Sequence, residues 1–389
     1  MPTKQPISFW TYFSTLEDPR TRQCCYPLQE ILLLALCAVL SGADDWVMIC
    51  LWGNQKLEWL RKFLPFKNGI PSHDTLGRVF GLLDAARFEQ CFIDWMRSAE
   101  GVLQGQEINI DGKTVRGSRS DLNKAIHIVS AYAGSLGLTL GQCKTAEKSN
   151  EITAIPELLD SLLLTGCTVT IDAMGCQKAI AAQIVSKNAD YVLAVKDNQP
   201  TLAHCVETAF GSISTPDAAL KQGLTPDAAL KQGLVSHIQK IEKDHGRIET
   251  RRYTVLQNLA CMDALRQDWP SLTAFIKVES TRDIKGEVST ETRYYISSRA
   301  GTAEELGGIV RRHWGIENSL HWVLDVSYRE DQARTRVRNS AENFSILRRI
   351  SLNLIRQDKV TKAGVKNRRL KAGSNDTYRE KLISFQAFA

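Results

Sequence analysis

The order of hydrophobic periodicities along the chain predicts an α/β fold. We expect a mixed five-stranded sheet with helices, a β-rich insertion within it and an all-helical segment before it. Three observations carry that expectation. Residues 1–103 keep helical spacing throughout. From Glu107 the pattern becomes strand, strand, strand, helix, strand, helix, strand. Two of those strands end alike, each running through alternating apolar residues into an Asp and then small residues: Ile108-Asn109-Ile110-Asp111-Gly112 and Thr168-Val169-Thr170-Ile171-Asp172-Ala173-Met174-Gly175.

In order, Leu28 to Ala43 reads as one helix ended at Gly42, Asp45 to Phe63 as a second, and Ala86 to Ala99 as a third carrying Phe88, Phe92 and Trp95. Between the last two, Gly69 to Leu76 is a turn with an N-cap, followed by a short helix through Leu83. Helix, turn and short helix with Arg78 exposed fits a DNA-reading unit, though any helical bundle contains the same arrangement. His73 reads as a turn residue.

After the first Asp strand come Ala125–Ala133 and Leu136–Lys144, joined at Gly134-Ser135 as a hairpin. Pro156 opens a helix, the second Asp strand follows, then a helix from Gln177 to Lys187 and a strand from Tyr191 to Lys196. Two antiparallel links followed by two helical crossovers place the fourth strand beside the first, parallel to it. Asp111 and Asp172 then reach the same sheet edge, where open α/β sheets place chemistry. Taken singly, each Asp also fits a turn cap.

Residues 206–300 interrupt the core. Thr215–Leu234 holds one exact tandem copy of TPDAALKQGL, a duplication in a tolerant segment to which we assign no chemistry. Ile248–Gln257, Ala274–Thr281 and Thr290–Ser297 read as a small inserted sheet. His245-Gly246-Arg247 is a turn or a phosphate contact. The core resumes over 301–355. In Ile309–Asp325, the residues His313, Glu317, His321 and Asp325 fall four apart, which on an α-helix makes one polar stripe beside Trp314, Ile316, Leu320, Val323 and Leu324. Tyr328–Arg336 is a loop dense in both signs, and Ala341–Ile355 an amphipathic helix before a basic tail, 356–389.

Net charge is +6. Arg334 to Lys381 holds 14 basic residues against 4 acidic, or +10, so the remainder is −4. That asymmetry suggests a polyanion partner, with a solvated helix face as the alternative. None of the ten cysteines makes a C-x-x-C pair, which argues against a zinc ribbon or thiol redox site. Met1–Asp18 lacks a signal-like apolar run and Ile31–Leu40 is too short to span a bilayer, so a reducing cytoplasm and no membrane partner are expected.

Two strand-borne Asp residues and a helix-borne Glu suggest metal-dependent phosphoryl transfer. Hard carboxylate oxygens bind Mg2+ or Mn2+ without filling the coordination shell, and two such ions suit an in-line displacement. No phosphate-binding Gly-rich loop occurs at a strand-to-helix turn. A di-iron carboxylate centre fits poorly, because Glu317 and His321 are four apart rather than three.

The chain resembles bacterial insertion-sequence transposases of the DDE class, in particular the H-repeat-associated (ISAs-type) family. The resemblance rests on IDGKTVRGS (110–118), KTAEKSNEITAIPELL (144–159), TIDAMGCQKAIA (170–181), YVLAVKDNQ (191–199), HGRIETR (245–251), RYYISSR (293–299) and HWGIENSLHWVLDVSYRED (313–331). DPR (18–20), LSGADDW (40–46) and GIPSHDTLGRVF (69–80) extend it to the N-terminal segment. It implies an RNase H-like core over 104–205 and 301–355, behind a DNA-binding helical domain at 1–103. Asp111, Asp172 and Glu317 match the acidic triad, with two Mg2+ ions (Mn2+ as substitute). Val310, His313 and Leu324 stand where related transposases carry Tyr, Arg and Lys. The implied reaction is cutting of element ends and joining to target DNA, by a homodimer on paired ends. Lys113, Arg116, Arg311, Arg312, His313, His321, Arg334 and Arg336 are expected on DNA, with Asp325 and Asp331 in support and Asp331 a rival third carboxylate. A DNA-binding relic and a nuclease without strand transfer are the alternatives.

Overall fold

The computed structural model describes residues 9–21, 24–98, 100–120, 124–145, 151–214, 235–244, 247–257 and 259–384. The tandem repeat at 215–234 and the pair His245-Gly246 lie outside them. Among the described residues nine strands occur: β1 (Glu107–Thr114), β2 (His127–Ala133), β3 (Leu138–Thr145), β4 (Thr168–Ile171), β5 (Asp190–Val195), β6 (Val235–Asp244), β7 (Arg247–Gln257), β8 (Ala274–Ile284) and β9 (Glu287–Ser297). They form one sheet in the order β3-β2-β1-β4-β5-β9-β8-β7-β6.

The expected central pairing is present. β1 and β4 run parallel with Ile110 opposite Ile171, and β4 and β5 run parallel with Thr168 opposite Asp190. The expected strand count is corrected from five to nine. The insertion builds four strands, not three, and they continue the core sheet instead of forming a separate one. Beyond β4, the far edge of β5 would expose unpaired backbone N–H and C=O groups. The end of β9 takes that edge, with Val192 opposite Ser297 and Val195 opposite Tyr294, and β9 to β6 follow as an antiparallel meander.

Smaller differences have local causes. The β2–β3 link extends to Gly137, which takes φ +73° in a region that favours glycine. Pro156 lies inside the helix Glu151–Ser161 rather than opening it. The expected helix over 45–63 divides at Lys56 (φ −112°) into Trp46–Gln55 and Leu57–Leu60.

The chain divides into two compact units. One comprises 104–111 and 164–315. Its core joins Val255, Ile276, Val278 and Tyr295 of the sheet to Leu306, Ile309 and Val310 of the helix Ala303–His313. A capping box starts that helix, with Thr302 accepting from Glu305 N and Glu305 accepting from Thr302 N.

The other unit comprises 1–103, 112–163 and 316–389. The helix Leu28–Leu40 is buried on every side, as its uninterrupted apolar run demands. Its one acid, Glu30, accepts a 2.7 Å hydrogen bond from Phe66 N and so is satisfied in the core. The helix Ser340–Gln357 is expected to be amphipathic, yet it too is buried nearly all round. Its polar residues make that possible: Asn343 donates to the carbonyls of Phe80 and Leu83, and Asn353 both donates to Thr139 O and accepts from Thr139 N.

Residues after 356, expected as a basic tail, hold the helices Val365–Ser374 and Asp376–Ile383. Arg369 is buried, donating to Val39 O at 2.8 Å and Asp44 Oδ1 at 2.7 Å, and Arg379 lies 3.9 Å from the Trp59 ring centre. With Arg348 and Arg349 also buried, four of the 14 basic residues in 334–381 are internal, so the surface is less positive there than the count implies. Among the described residues no helix is long and apolar enough to cross a membrane.

Candidate active site

In the unit containing β4, the register sets two carboxylates side by side. Ile110 and Ile171 are paired on adjacent parallel strands, so the next residues follow level with each other, Asp111 within β1 and Asp172 immediately past the end of β4. Such strands lie about 4.8 Å apart. Both Asp residues are half-buried. Asp172 is also a turn cap, its Oδ1 accepting from Met174 N at 3.1 Å and Gly175 N at 3.4 Å. The modest reading of that residue is therefore true as well, and the cap holds the carboxylate in place.

Side chains two apart on a strand share a face, so Asn109 lies on the face of Asp111, and Thr170 is its partner across the β1–β4 register. Both are buried, and they dock the end of helix 303–313. Asn109 Nδ2 donates to Arg312 O at 3.1 Å, and Thr170 Oγ1 donates to Asn109 Oδ1 at 2.9 Å. The Thr170 hydroxyl also lies 2.8 Å from His313 Nδ1. Its single proton is already directed at Asn109, so His313 Nδ1 carries a hydrogen and donates it. His313, half-buried, is thus held against β4 through its Nδ1. Sequence reasoning missed Asn109 and Thr170; polar residues at i−2 from each Asp, within otherwise apolar strands, were the available signal.

Glu317 begins the next turn of helical backbone, in the unit containing 316–389. Glu317–His321 is a π-turn, continued by the α-helix Trp322–Tyr328. The wider turn inserts an extra residue into the ladder, a form common at functional sites. It also corrects the expected polar stripe: Glu317 is exposed, His321 is buried and Asp325 is half-buried, so residues spaced by four do not share one exposed face. His321 Nδ1 lies 3.3 Å from Glu317 Oε2. His321 itself is 3% exposed. Arg356 donates to Ser319 O within the π-turn, to Tyr132 Oη at 2.9 Å and to Gly137 O at 3.0 Å, which braces the turn from behind.

Lys113 departs most from expectation. Instead of reaching outward for phosphate it is 7% exposed, with its ammonium 2.8 Å from Asp325, 2.9 Å from Asp331 and 3.7 Å from Glu330. Burial lowers its pKa, but the charges and hydrogen bonds of those carboxylates outweigh burial and raise it overall. Burial by itself would push the Glu330 carboxyl up. Arg349, Lys113 and Arg348 outweigh it, and Glu330 is lowered to about 2. Sequence reasoning assigned Glu330 no role; nothing in the local pattern separates it from its exposed neighbours. Asp331 accepts from Lys113 and from Arg116 N at 3.2 Å, which engages it structurally and weakens its claim as the third carboxylate.

The remaining arginines stay at the surface. Arg312 makes two hydrogen bonds to Glu107, Arg311 lies 3.4 Å from Glu242, and Arg116 is 83% exposed. Exposed pairs of this kind contribute little stability and can be exchanged for phosphate. Arg334 is exposed, and Arg336 donates to Gly117 O at 3.1 Å. Trp314, expected to supply apolar surface beside the polar stripe, is 42% exposed beneath the Arg293 guanidinium.

Chemically, Asp111 and Asp172 offer hard carboxylate oxygens of the class that binds divalent cations. Glu317, in the other unit, is an exposed carboxylate with His321 Nδ1 3.3 Å from its Oε2.

Comparison with known proteins agrees with this chemistry. Residues 104–354 match the family model described as “Transposase DDE domain”, and residues 10–96 match “DDE_Tnp_1-associated”. The chain is 42% identical to “Putative transposase YncI” of Escherichia coli O157:H7, over 97% of this chain and 94% of that protein. It is 40% identical to “H repeat-associated putative transposase YhhI” of Escherichia coli K12, over 96% and 97%. A cryo-EM structure of the piggyBac transposase synaptic complex with hairpin DNA is a distant likeness: TM-score 0.41, 10% identity, covering 97% of this chain and 78% of that one. The chain belongs to the DDE transposase family.

Proposed function

We propose that the protein cuts insertion-sequence ends and joins them to target DNA, with Asp111, Asp172 and Glu317 as the catalytic carboxylates on an RNase H-like core. The observation that supports this reading is the β1–β4 register, in which Ile110 pairs with Ile171 so that Asp111 and Asp172 follow at the same level. Two divalent cations, Mg2+ or Mn2+, would supply Lewis-acid activation of the attacking oxygen and neutralise charge at the leaving one. The chain's own residues do the rest. Asp111 and Asp172 offer the donor oxygens, and the Asn109–Thr170–His313 bonds hold the end of the helix Ala303–His313 against β1 and β4. His321 orients the Glu317 carboxylate. Arg116, Arg311, Arg312, Arg334 and Arg336 take backbone phosphates, positioning the scissile bond without reading sequence. Two copies of the chain would hold the two ends.

The test is incubation of labelled element-end and target DNA with Mg2+ or Mn2+, wild type beside Asp111→Ala, Asp172→Ala and Glu317→Ala. Nicked and joined products from the wild type, with each variant binding DNA but giving none, are expected. Nicking retained by Glu317→Ala removes that residue from the set. Cleavage without joined products makes the protein a nuclease, and DNA binding without any product makes it a relic.

A further inference from the structure

In sequence, Arg329 to Arg338 mixes both signs, and the structure sorts them. Glu330 and Asp331 turn inward to Lys113, Arg348 and Arg349. Arg334, Arg336 and Arg338 remain exposed. The three arginines line a cleft of about 520 Å3, with the helix His73–Leu82 contributing Arg78 and Asp74, and Trp46 also lining it. Every residue of this cleft belongs to the unit that contains 1–103 and 316–389.

Four guanidinium groups share the cleft with one carboxylate, Asp74, which is exposed and lies 3.5 Å from His73. Among the described residues neither Arg334 nor Arg338 has a carboxylate partner. Nor is the arginine-bearing strap loose. Asn339 N donates to Gly81 O at 3.3 Å, Asn339 Nδ2 donates to Leu83 O at 3.1 Å, and Ser340 N donates to Val337 O at 2.9 Å. A methyl added to Gly81 would stand 3.2 Å from Val337 O, so the strap lies directly on the helix. Trp46 packs on Phe80 with ring centres 4.8 Å apart. Like charges held together on rigid backbone repel, and the arrangement becomes favourable when a polyanion supplies several negative groups at once.

We propose that this cleft is a phosphodiester clamp for DNA, shared by the helix His73–Leu82 and the 334–338 strap, and containing none of the three catalytic carboxylates. The proposal rests on the transposase reading and extends it to Arg78 and Arg338, giving the N-terminal segment a defined place on the duplex. Contacts to phosphate oxygens carry no sequence information, so a clamp of this kind holds any duplex.

The experiment is fluorescence anisotropy of the full chain with labelled duplex, element-end and unrelated, across a salt series. Each phosphate left without its guanidinium should reduce the slope of log affinity against log salt by about 0.9. Arg78→Ala/Arg338→Ala should therefore flatten the slope by about 2 and weaken both duplexes alike. Arg78→Lys/Arg338→Lys should keep most of the slope, because charge is retained. An unchanged slope in the Ala variant overturns the proposal and turns the cleft toward some other partner. So does a Lys variant that loses as much as the Ala variant, since the role is then structural. A wild type that binds neither duplex would instead refute the transposase reading itself.

Discussion

Replacing Lys113 by Met tests whether the buried charge cluster holds the site together. The ammonium is nearly enclosed, with carboxylate oxygens at 2.8, 2.9 and 3.7 Å. Removing one partner of a buried ion pair costs about 3–5 kcal/mol, because the other charge is left behind. Here the loss is cushioned. Glu330 keeps Arg349 at 3.2 Å, while Asp325 and Asp331 are 34% and 23% exposed and can recruit water. We therefore expect a destabilisation of about 2–3 kcal/mol, which at a urea m-value near 3 kcal/mol/M lowers the midpoint by roughly 0.7–1 M. The deficit should also depend on pH. Burial raises the Asp325 carboxyl above its ordinary value while Lys113 holds it down. Without the ammonium it rises further, so the folded state of the variant takes up a proton more readily than its unfolded state does. Stability then falls as pH rises through that carboxyl, and the deficit should be smaller at acid pH than at neutrality. Lys113 follows Asp111 by two residues and Asp325 follows Glu317 by eight, so nicking should fall more than DNA affinity does. A midpoint within 0.2 M of wild type (roughly 0.6 kcal/mol at that m-value), or a deficit that grows on acidification, would refute the reasoning.

Two further perturbations use the same unfolding assay. A methyl added at Gly112 would run into His127 Nε2 and Glu151 Oε1, a buried pair 2.5 Å apart, so Gly112→Ala should cost about 1–3 kcal/mol. Gly315→Ala meets nothing within 4 Å and should stabilise the helix by about 0.5–1 kcal/mol; the two alanines shifting alike would contradict the packing. Glu330, lowered from 4.5 to about 2, contributes stability that is present above pH 4.5 and lost as pH falls toward 2. That loss is on the order of 3 kcal/mol, and Glu330→Gln should show a flatter acid limb in urea titrations between those values; an unchanged limb would place the acid sensitivity elsewhere.

What the sequence determined by itself was local. Alternation at period two placed the β1 and β4 strands and the Asp residues at their ends, and helical spacing marked most helices, because these signals reside within a few consecutive residues. Chain order then made β1 and β4 parallel neighbours, since two crossovers leave few alternatives. Tertiary structure decided the rest. Whether β9 would join β5 or close a separate sheet depended on an edge about a hundred residues away in the chain. The π-turn at Glu317 carries no pattern of its own, and is braced by Arg356 from another helix. Charge proved least legible. Lys113, Glu330, Arg348 and Arg369 look like surface residues in any window of sequence, yet all are buried. A charge enters a core only where its partners converge from distant segments, and only the folded chain brings those segments together.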